Sequence, residues 1–374
     1  MNRRKPTAIL LVVAAGLVAL VVPAVSTGGA PAHVPKGFFG VAPQTTLTPE
    51  DARYMKAGGI ESVRFTLIWP AIQPTPQHSY DWTYFDEVVE VATRYGLRVL
   101  PVINSTPPWL APKSTTLPVQ NGAQRAAWSA FLEAAVKRYG PGGEFWTEHA
   151  HEGVDYQPAI ANPLPIREWQ IWNEANFFYF TYPVSPSRYA KLVTISSKAI
   201  KHADPSAKVI LAGLFGEPTA TGKRGMPAAT FLQHLYEVPG LKNRFDGVAL
   251  HPYAVDAETL EELVEAFHQV SVENEDRPSL YITETGWGSQ NDFEHDAFEQ
   301  GTRGQLREMR NAYRYLTENQ RRLNLKQVDW FSWKDLSGTC DFCDSVGLFR
   351  EGQGLRPKPA WRAFVGLTGG RPSP

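Results

Sequence analysis

The chain has 374 residues, of which 43% are hydrophobic and 20% are charged, and its formal net charge is −1. This balance is typical of a globular protein with a large hydrophobic core. Because the chain has no excess of basic residues, it lacks the electrostatic surface that nucleic-acid binding requires, and a nucleic-acid partner is excluded. Aromatic residues make up 12% of the chain, which suits either packing or the binding of ring-shaped ligands such as carbohydrates.

The N-terminus has the pattern of an export signal. Arg3, Arg4 and Lys5 precede an uncharged, almost wholly apolar run at 7–22, which is followed by Pro23 and small residues. The run is shorter than the roughly 20 apolar residues of a membrane-spanning helix. We therefore expect a cleaved signal rather than a retained anchor in residues 1–32, a secreted or cell-envelope protein, and no stable membrane insertion after cleavage.

Strand patterns alternate with helix patterns along residues 33–374. The predicted strands are 38–41, 62–69, 98–104, 167–174, 208–214, 247–253, 280–284 and 328–335. Helix patterns begin at Thr48-Pro49 and end near Gly58, and recur at 81–95, 123–139, 187–202, 257–275, 302–319 and 358–367. This alternation indicates a parallel sheet, either a doubly wound sheet or a closed barrel. Strand number and length favour a single-domain α/β protein with a (β/α)8 barrel, with residues 140–165 inserted over its mouth or side.

The chain has two cysteines, Cys340 and Cys343, in the sequence C-D-F-C. In an exported protein this spacing predicts a small loop disulfide. Structural zinc would require four ligands, and a thioredoxin-like site would require the motif to open a helix in a small βαβ domain. A redox function is the alternative interpretation.

No metal site or cofactor is expected. The candidates for metal ligands, His149, His151 and Glu152, lack the spacing of an H-E-x-x-H motif and have no visible third-ligand pattern. We interpret them as polar surface residues. Glu217, which follows the fifth predicted strand, is either a substrate contact or a solvated loop residue, and we favour the loop residue.

Functional residues of a (β/α)8 barrel lie at the carboxyl ends of its strands. The predicted strands carry or end on polar and aromatic residues, which are Arg64, Trp69, Asn104, Trp109, Asn173, Glu174, His251, Tyr253, Glu284, Trp287 and Trp333. Two of them, Glu174 and Glu284, are carboxylates on the fourth and seventh strands, nearly opposite each other. Such a pair can cleave a glycosidic bond, at a separation of about 5–5.5 Å with retention or about 6.5–9.5 Å with inversion of configuration.

The sequences W-N-E at 172–174 and T-E-T-G-W at 283–287 resemble clan A of the retaining glycoside hydrolases. The resemblance covers the chain after the signal and is closest to families 39 and 5, including bacterial exopolysaccharide glycosidases related to family 39. It implies that Glu174 is the acid/base, that Glu284 is the nucleophile, and that Asn173 binds the 2-hydroxyl group of the sugar.

The same resemblance implies that Arg64 lies beside the nucleophile, that His251 and Tyr253 belong to the site, and that Trp333 is a floor for the sugar. Each has a structural alternative: Arg64 as a salt-bridge partner, His251 as an orienting group, and Trp333 as packing. For three further tryptophans, sugar contact and packing are equally good interpretations; these are Trp69, Trp109 and Trp287.

The expected function is that of an exported retaining glycosidase that cleaves β-linked polysaccharides or glycoconjugates through a covalent glycosyl-enzyme. Aromatic residues along the rim favour endo action. We expect the barrel to stand alone, without the β-sandwich domain of many family 39 xylosidases. The alternatives are an exo-acting β-glycosidase or xylosidase on short glycosides, and a non-catalytic carbohydrate-binding barrel, which would have lost a carboxylate.

Overall fold

The computed structural model of the chain describes residues 34–77, 79–151, 158–292, 294 and 296–374. The predicted signal or anchor at 1–32 lies outside the described residues, and so does Glu152. Within the described part of the chain, no helix is both long enough and apolar enough to cross a membrane.

Eight parallel strands form a closed barrel in chain order. The first strand closes the barrel by pairing with both the second and the eighth. The strands are β1 (Phe39–Val41), β2 (Ser62–Ile68), β3 (Arg98–Asn104), β4 (Glu168–Asn173), β5 (Lys208–Phe215), β6 (Gly247–His251), β7 (Ser279–Thr285) and β8 (Leu325–Trp330). The predicted (β/α)8 barrel is confirmed, and the doubly wound alternative is wrong.

The described α-helices lie around this barrel. They are α1 (Pro49–Ala57), α2 (Trp69–Ile72), α3 (Thr83–Arg94), α4 (Gly122–Tyr139), α5 (Glu144–Glu148), α6 (Pro186–Ala203), α7 (Ala228–Tyr236), α8 (Ala257–Glu273), α9 (Gly301–Glu318) and α10 (Pro359–Thr368). Side-chain caps explain several starting points, since the oxygens of Thr48, Ser185 and Asp256 accept hydrogen bonds from the first turns of α1, α6 and α8. The helix α7 was not predicted, because it is short and Pro227 offers no capping side chain.

Several strand ends differ from the prediction by one or more residues, and the ends of β2 and β8 displace a tryptophan. Trp69 begins α2 instead of ending β2, with Pro70 in the first turn, where proline is tolerated. The predicted eighth strand, 328–335, begins earlier and ends at Trp330, because the backbone of Trp333 then pairs with Phe349 of the following loop. Aromatic residues favour strands. The pattern W-F-S-W at 330–333 therefore makes the predicted eighth strand longer than the observed one.

The insertion at 140–165 lies at the side of the barrel in its described part. There, α5 follows α4 directly, and the Trp146 indole donates a hydrogen bond to the carbonyl oxygen of Tyr139. The backbone amide of Ile166 donates to the same carbonyl as the chain enters β4. The described part of the insertion therefore packs against the end of α4 and the approach to β4, in agreement with the predicted position at the side of the barrel.

The interior of the barrel contains a polar layer as well as a small apolar cluster of Ile210, Ala249 and Tyr281. Arg64 on β2 reaches across β3 and donates from Nε to Gln170 of β4 at 2.6 Å. Gln170 in turn donates to the hydroxyl of Thr283 on β7 at 3.1 Å. On β8, Asp329 accepts two hydrogen bonds from Gln327, at 2.8 and 2.9 Å. These contacts form a buried polar floor beneath the carboxyl ends of the strands.

Candidate active site

Glu174 is placed by an unusual backbone at the end of β4. Regular alternation from Gln170, which faces the interior, would put Trp172 inside and Asn173 outside. Trp172 instead has φ +72° and Glu174 has φ +39°, and the indole of Trp172 packs outward against Trp128. Asn173 and Glu174 both face the interior as a result. Such conformations cost on the order of 1–3 kcal/mol each and are typical of functional sites.

Glu284 on β7 is held by two donors. The Nη1 of Arg64 donates to its Oε1 at 2.5 Å, and the hydroxyl of Tyr253 donates to its Oε2 at 2.9 Å. The Nη2 of the same guanidinium donates to Oδ1 of Asn173 at 2.7 Å. Arg64 therefore sets the position of the carboxylate on β7 relative to the amide on β4, and it compensates negative charge at Glu284.

His251 on β6 supports Glu174 from the other side. Its Nδ1 lies 2.9 Å from Oε1 of Glu174, and its Nε2 lies 3.0 Å from the hydroxyl of Thr283. Burial, together with the positive charge of Arg64, lowers the pKa of His251 well below its usual value, so the ring is neutral. The imidazole of His251 can occupy this position only because β5 has a glycine next to it. A Cβ on Gly213 would lie 2.0 Å from Nε2 of His251.

The two glutamates are close together but have different surroundings. Ligand atoms of Glu174, His251 and Glu284 all lie within 4.8 Å of one another, so an oxygen of one carboxyl group is within that distance of the other. Burial, followed by the negative charge of Glu284, raises the pKa of Glu174 well above its usual value, although Arg64 opposes this shift. The geometry thus pairs a carboxyl group that holds its proton more tightly than usual with a second carboxyl group whose two oxygens are held by donors.

These three residues are also the set, among the described residues, whose atoms could converge on a metal ion. Both oxygens of Glu284 already accept hydrogen bonds, one of them from a guanidinium. A cation placed here would be repelled by Arg64. The donor set therefore suits a carboxyl pair better than a metal centre.

Three of the predicted sugar contacts are wrong. Trp69 and Trp287 are fully buried and Trp333 is 1% exposed, so none offers a ring face to a ligand. The ring of Trp69 stacks on Phe131, and the indole of Trp287 donates to the carbonyl oxygen of Ala254. The sequence pattern could not distinguish these buried packing positions from ligand-facing positions at the carboxyl ends of the strands, because aromatic residues occupy both kinds of position.

Trp333 is a packing residue because β8 ends before it. Its indole donates to Asp51 of α1 at 2.8 Å, and its ring lies against Trp361 of α10. The aromatic residue next to the site at the end of β8 is Phe331, whose ring centroid is 6.1 Å from that of Tyr253. Phe331 was missed by the sequence analysis, and a strand ending at Trp330 would have identified it.

Two other phenylalanines were also missed. Phe298 and Phe342 have ring centroids 5.8 and 5.2 Å from that of Tyr253, and they come from the loops after β7 and β8. The predicted disulfide is present between Cys340 and Cys343, so Phe342 is inside the disulfide ring. The motif C-D-F-C therefore carries an aromatic side chain to the tyrosine that binds Glu284.

The remaining predicted residues have distinct positions. Asn104, at the end of β3, is buried and accepts a hydrogen bond from the hydroxyl of Ser105. Trp109 is half-buried on the rim, and its indole donates to the backbone of Gln73. Glu217 is exposed in the loop after β5. His149 stacks on Phe145 of α5, away from the carboxyl pair, in agreement with its interpretation as a surface residue.

A cavity of about 990 Å³ lies at the opposite end of the barrel. It is lined by Val248 and Leu280, near the starts of β6 and β7, and by basic side chains that include Arg277 and Arg321. Residues at this end of a (β/α)8 barrel generally serve stability. The convergent carboxyl groups, not the cavity volume, therefore indicate the candidate active site.

One family model and several solved structures resemble this chain. A glycoside hydrolase family 42 model, described as β-galactosidase, matches residues 42–131, a segment that includes Arg64 and Asn104 but neither glutamate. No curated protein matches the chain.

Solved structures match most of the chain. A family 39 glycoside hydrolase from Bacteroides cellulosilyticus WH2 is 20% identical, with a TM-score of 0.64, and the match covers 90% of this chain and 64% of that one. The chain thus has the fold of the clan A glycoside hydrolases. A monomeric β-xylosidase from Caulobacter crescentus is 19% identical, covers 91% of this chain and 69% of that one, and has a TM-score of 0.58.

A third match is a GH5_18 protein from Bifidobacterium longum solved with Manβ1-4GlcNAc. It is 14% identical, with a TM-score of 0.60, and the match covers 89% of this chain and 78% of that one. The predicted resemblance to the glycoside hydrolases of clan A is therefore confirmed by fold and by family model. The chain spans 64% of the length of the Bacteroides protein.

Proposed function

We propose that the protein is an exported retaining glycoside hydrolase that cleaves β-glycosidic bonds in a polysaccharide or glycoconjugate. The observation that carries this proposal is the carboxyl pair, with oxygens of Glu174 and Glu284 within 4.8 Å. Because 4.8 Å is an upper limit for one pair of oxygens, it favours the roughly 5–5.5 Å arrangement of retaining enzymes over the roughly 6.5–9.5 Å that leaves room for a water molecule. The export pattern at the N-terminus supports action outside the cytoplasm.

In the first step, a carboxylate oxygen of Glu284 bonds to the anomeric carbon while the bond to the leaving oxygen breaks. Glu174 transfers its proton to that oxygen. Because the pKa of Glu174 is raised, the residue keeps this proton at pH values above about 4.3, the pKa of an unperturbed glutamate. As negative charge leaves Glu284, its contact with Arg64 weakens, and the guanidinium retains Asn173 and Gln170 as acceptors.

In the second step, Glu174 accepts a proton from water, and the water oxygen displaces Glu284 from the anomeric carbon. Esterification removes the negative charge that raises the pKa of Glu174, so the same residue now acts as a base. Arg64 holds Oδ1 of Asn173, which leaves its amide group to donate to the sugar 2-hydroxyl. Two inversions at one carbon give net retention.

Two substitutions test the two roles. Glu284→Gln removes the nucleophile and should abolish turnover of every aryl β-glycoside. Glu174→Gln removes the acid, so it should slow bond cleavage greatly with an alkyl or sugar leaving group but far less with dinitrophenolate, which needs no proton. Glu217→Gln, a change at an exposed carboxyl group, is the matched control. Wild-type turnover by either site variant of a substrate with an alkyl or sugar leaving group, or an inverted first product by NMR, contradicts the mechanism.

Exo action on short glycosides is the second candidate, since the similar Caulobacter protein is described as a β-xylosidase. The two candidates differ in product pattern. An endo-acting enzyme releases a range of oligosaccharides and lowers the viscosity of a polymer early in the reaction, whereas an exo-acting enzyme releases single sugars with little early loss of viscosity.

A further inference from the structure

A ridge of aromatic side chains at 177–182 begins three residues after Glu174. Tyr179 is 65% exposed, Phe180 is 38% exposed and Tyr182 is 43% exposed, while Phe178 is half-buried. Large apolar side chains that are clustered and solvent-exposed typically mark a binding surface. The segment has the sequence N-F-F-Y-F-T-Y at 176–182.

The ridge is firmly attached to the site. The backbone amide of Phe177 donates to the carbonyl oxygen of Glu174 at 2.9 Å, so the chain turns at the acid and continues as the ridge. From the neighbouring loops, the carbonyl of Thr115 accepts from Tyr182 at 3.0 Å, and the carbonyl of Arg224 accepts from Phe178 at 2.9 Å. These bonds to the loops after β3 and β5 make the ridge a continuous part of the rim.

Two cations lie on the aromatic rings of the ridge. The guanidinium carbon of Arg224 is 3.8 Å from the centroid of Phe178, and the ammonium group of Lys113 is 5.5 Å from that of Tyr182. Both side chains are exposed, and neither forms a salt bridge with a carboxylate in the part of the chain that the structure describes. Exposed Glu217 is the acidic residue in the loop that carries Arg224. The surface therefore combines flat apolar faces with positive charge.

We propose that this ridge binds the leaving-group side of a β-linked chain that carries acidic sugars. The inference rests on the proposed function, because the acid that protonates the leaving oxygen must face that side of the substrate, and the ridge starts three residues after Glu174. The exposed rings of Tyr179 and Tyr182 contact the C–H surfaces of the sugar rings. Lys113 and Arg224 bind their carboxylates, with Arg224 suited to bidentate contact.

Affinity electrophoresis of the inactive Glu284→Gln chain in gels containing a cellulose derivative tests the ridge. Carboxymethylcellulose and hydroxyethylcellulose are β-linked glucans that differ in charge. We expect about three- to tenfold tighter binding to the acidic polymer, since each exposed ion pair contributes a factor of a few in affinity. Lys113→Gln with Arg224→Gln should remove this preference, whereas Tyr179→Ala with Tyr182→Ala should weaken binding to both polymers.

The matched control is Lys242→Gln with Arg244→Gln, the same loss of charge at exposed positions beside the start of β6. The proposal is overturned if the Glu284→Gln chain binds the two polymers equally. It is also overturned if the control pair and the Lys113/Arg224 pair of substitutions reduce the preference for the acidic polymer by the same factor. Failure of the ridge remains distinguishable from failure of the proposed function. Binding is measured in an inactive chain, whereas turnover of a dinitrophenyl β-glycoside by the chain with an intact pair reports catalysis.

Discussion

Gly213→Ala tests whether the position of His251 controls the acid. The added Cβ would lie 2.0 Å from Nε2 of His251 and 2.6 Å from the hydroxyl of Thr283. Because carbon and nitrogen atoms in van der Waals contact are about 3.5 Å apart, the imidazole must move by more than about 1 Å. Its Nδ1 is now 2.9 Å from Glu174, so the same displacement breaks that hydrogen bond.

The displacement should be visible in both activity and stability. A misplacement of about 1 Å in a catalytic arrangement can cost on the order of 10²-fold in rate, and an extra methyl group in a packed interior typically costs about 1–3 kcal/mol. We therefore expect kcat/KM for an aryl β-glycoside to fall about 10²-fold. Water entering beside Glu174 should lower its raised pKa and move the basic limb of the pH profile to lower pH.

The assay compares kcat/KM, the pH profile and the free energy of unfolding with those of Gly366→Ala. Gly366 lies in α10, and a Cβ there would meet nothing within 4 Å. Alanine should stabilise this exposed helix position by up to about 1 kcal/mol and leave turnover unchanged. If Gly213→Ala keeps wild-type turnover and an unchanged pH profile, His251 does not position the acid and the reasoning fails.

Further predictions concern the floor of the site and the loop after β8. Arg64→Lys replaces a three-way fork with one ammonium group, so kcat should fall about 10²-fold, and unchanged kcat would contradict this role. Burial raises the pKa of Asp329 to about 8 from about 3.9 when unfolded, so its contribution to stability should decline between these pH values. Denaturant titrations should show that the free energy of unfolding of Asp329→Asn depends less on pH in this range than that of the wild type. An equal slope for the two proteins would refute the raised pKa of Asp329. Dithiothreitol, or serine at Cys340 and Cys343, should lower kcat/KM severalfold by loosening Phe342, whereas wild-type kinetics would leave the disulfide without influence on the site.

The barrel was predictable because its signals are local. Apolar runs of strand length alternate with helical patterns, and helices start at residues such as Thr48 whose side chains bind the free amides of the first turn. The errors fall where local signals conflict with packing. The W-F-S-W sequence favours a strand, but after Trp330 the backbone pairs with the loop that carries Phe349.

The site was predictable in part for a different reason. Placing Glu174 and Glu284 at the ends of opposite strands requires only the strand order. Assigning Trp333 to the sugar floor required the exact end of β8, and an error of a few residues moved the prediction from Phe331 to a side chain packed against Trp361. Phe298 and Phe342 come from loops, whose course the sequence does not reveal.

The sequence by itself determined the alternating elements, the two carboxyl groups and the strands that carry them, because hydrophobic period and capping act over a few residues. Only the tertiary structure decided how those groups are used. Their separation depends on barrel closure, and the different surroundings of Glu174 and Glu284 depend on residues far apart in the chain. The positive φ of Trp172 reverses the expected alternation, since the closed barrel stabilises a backbone that local preferences oppose. The chain then presents both Asn173 and Glu174 to one interior.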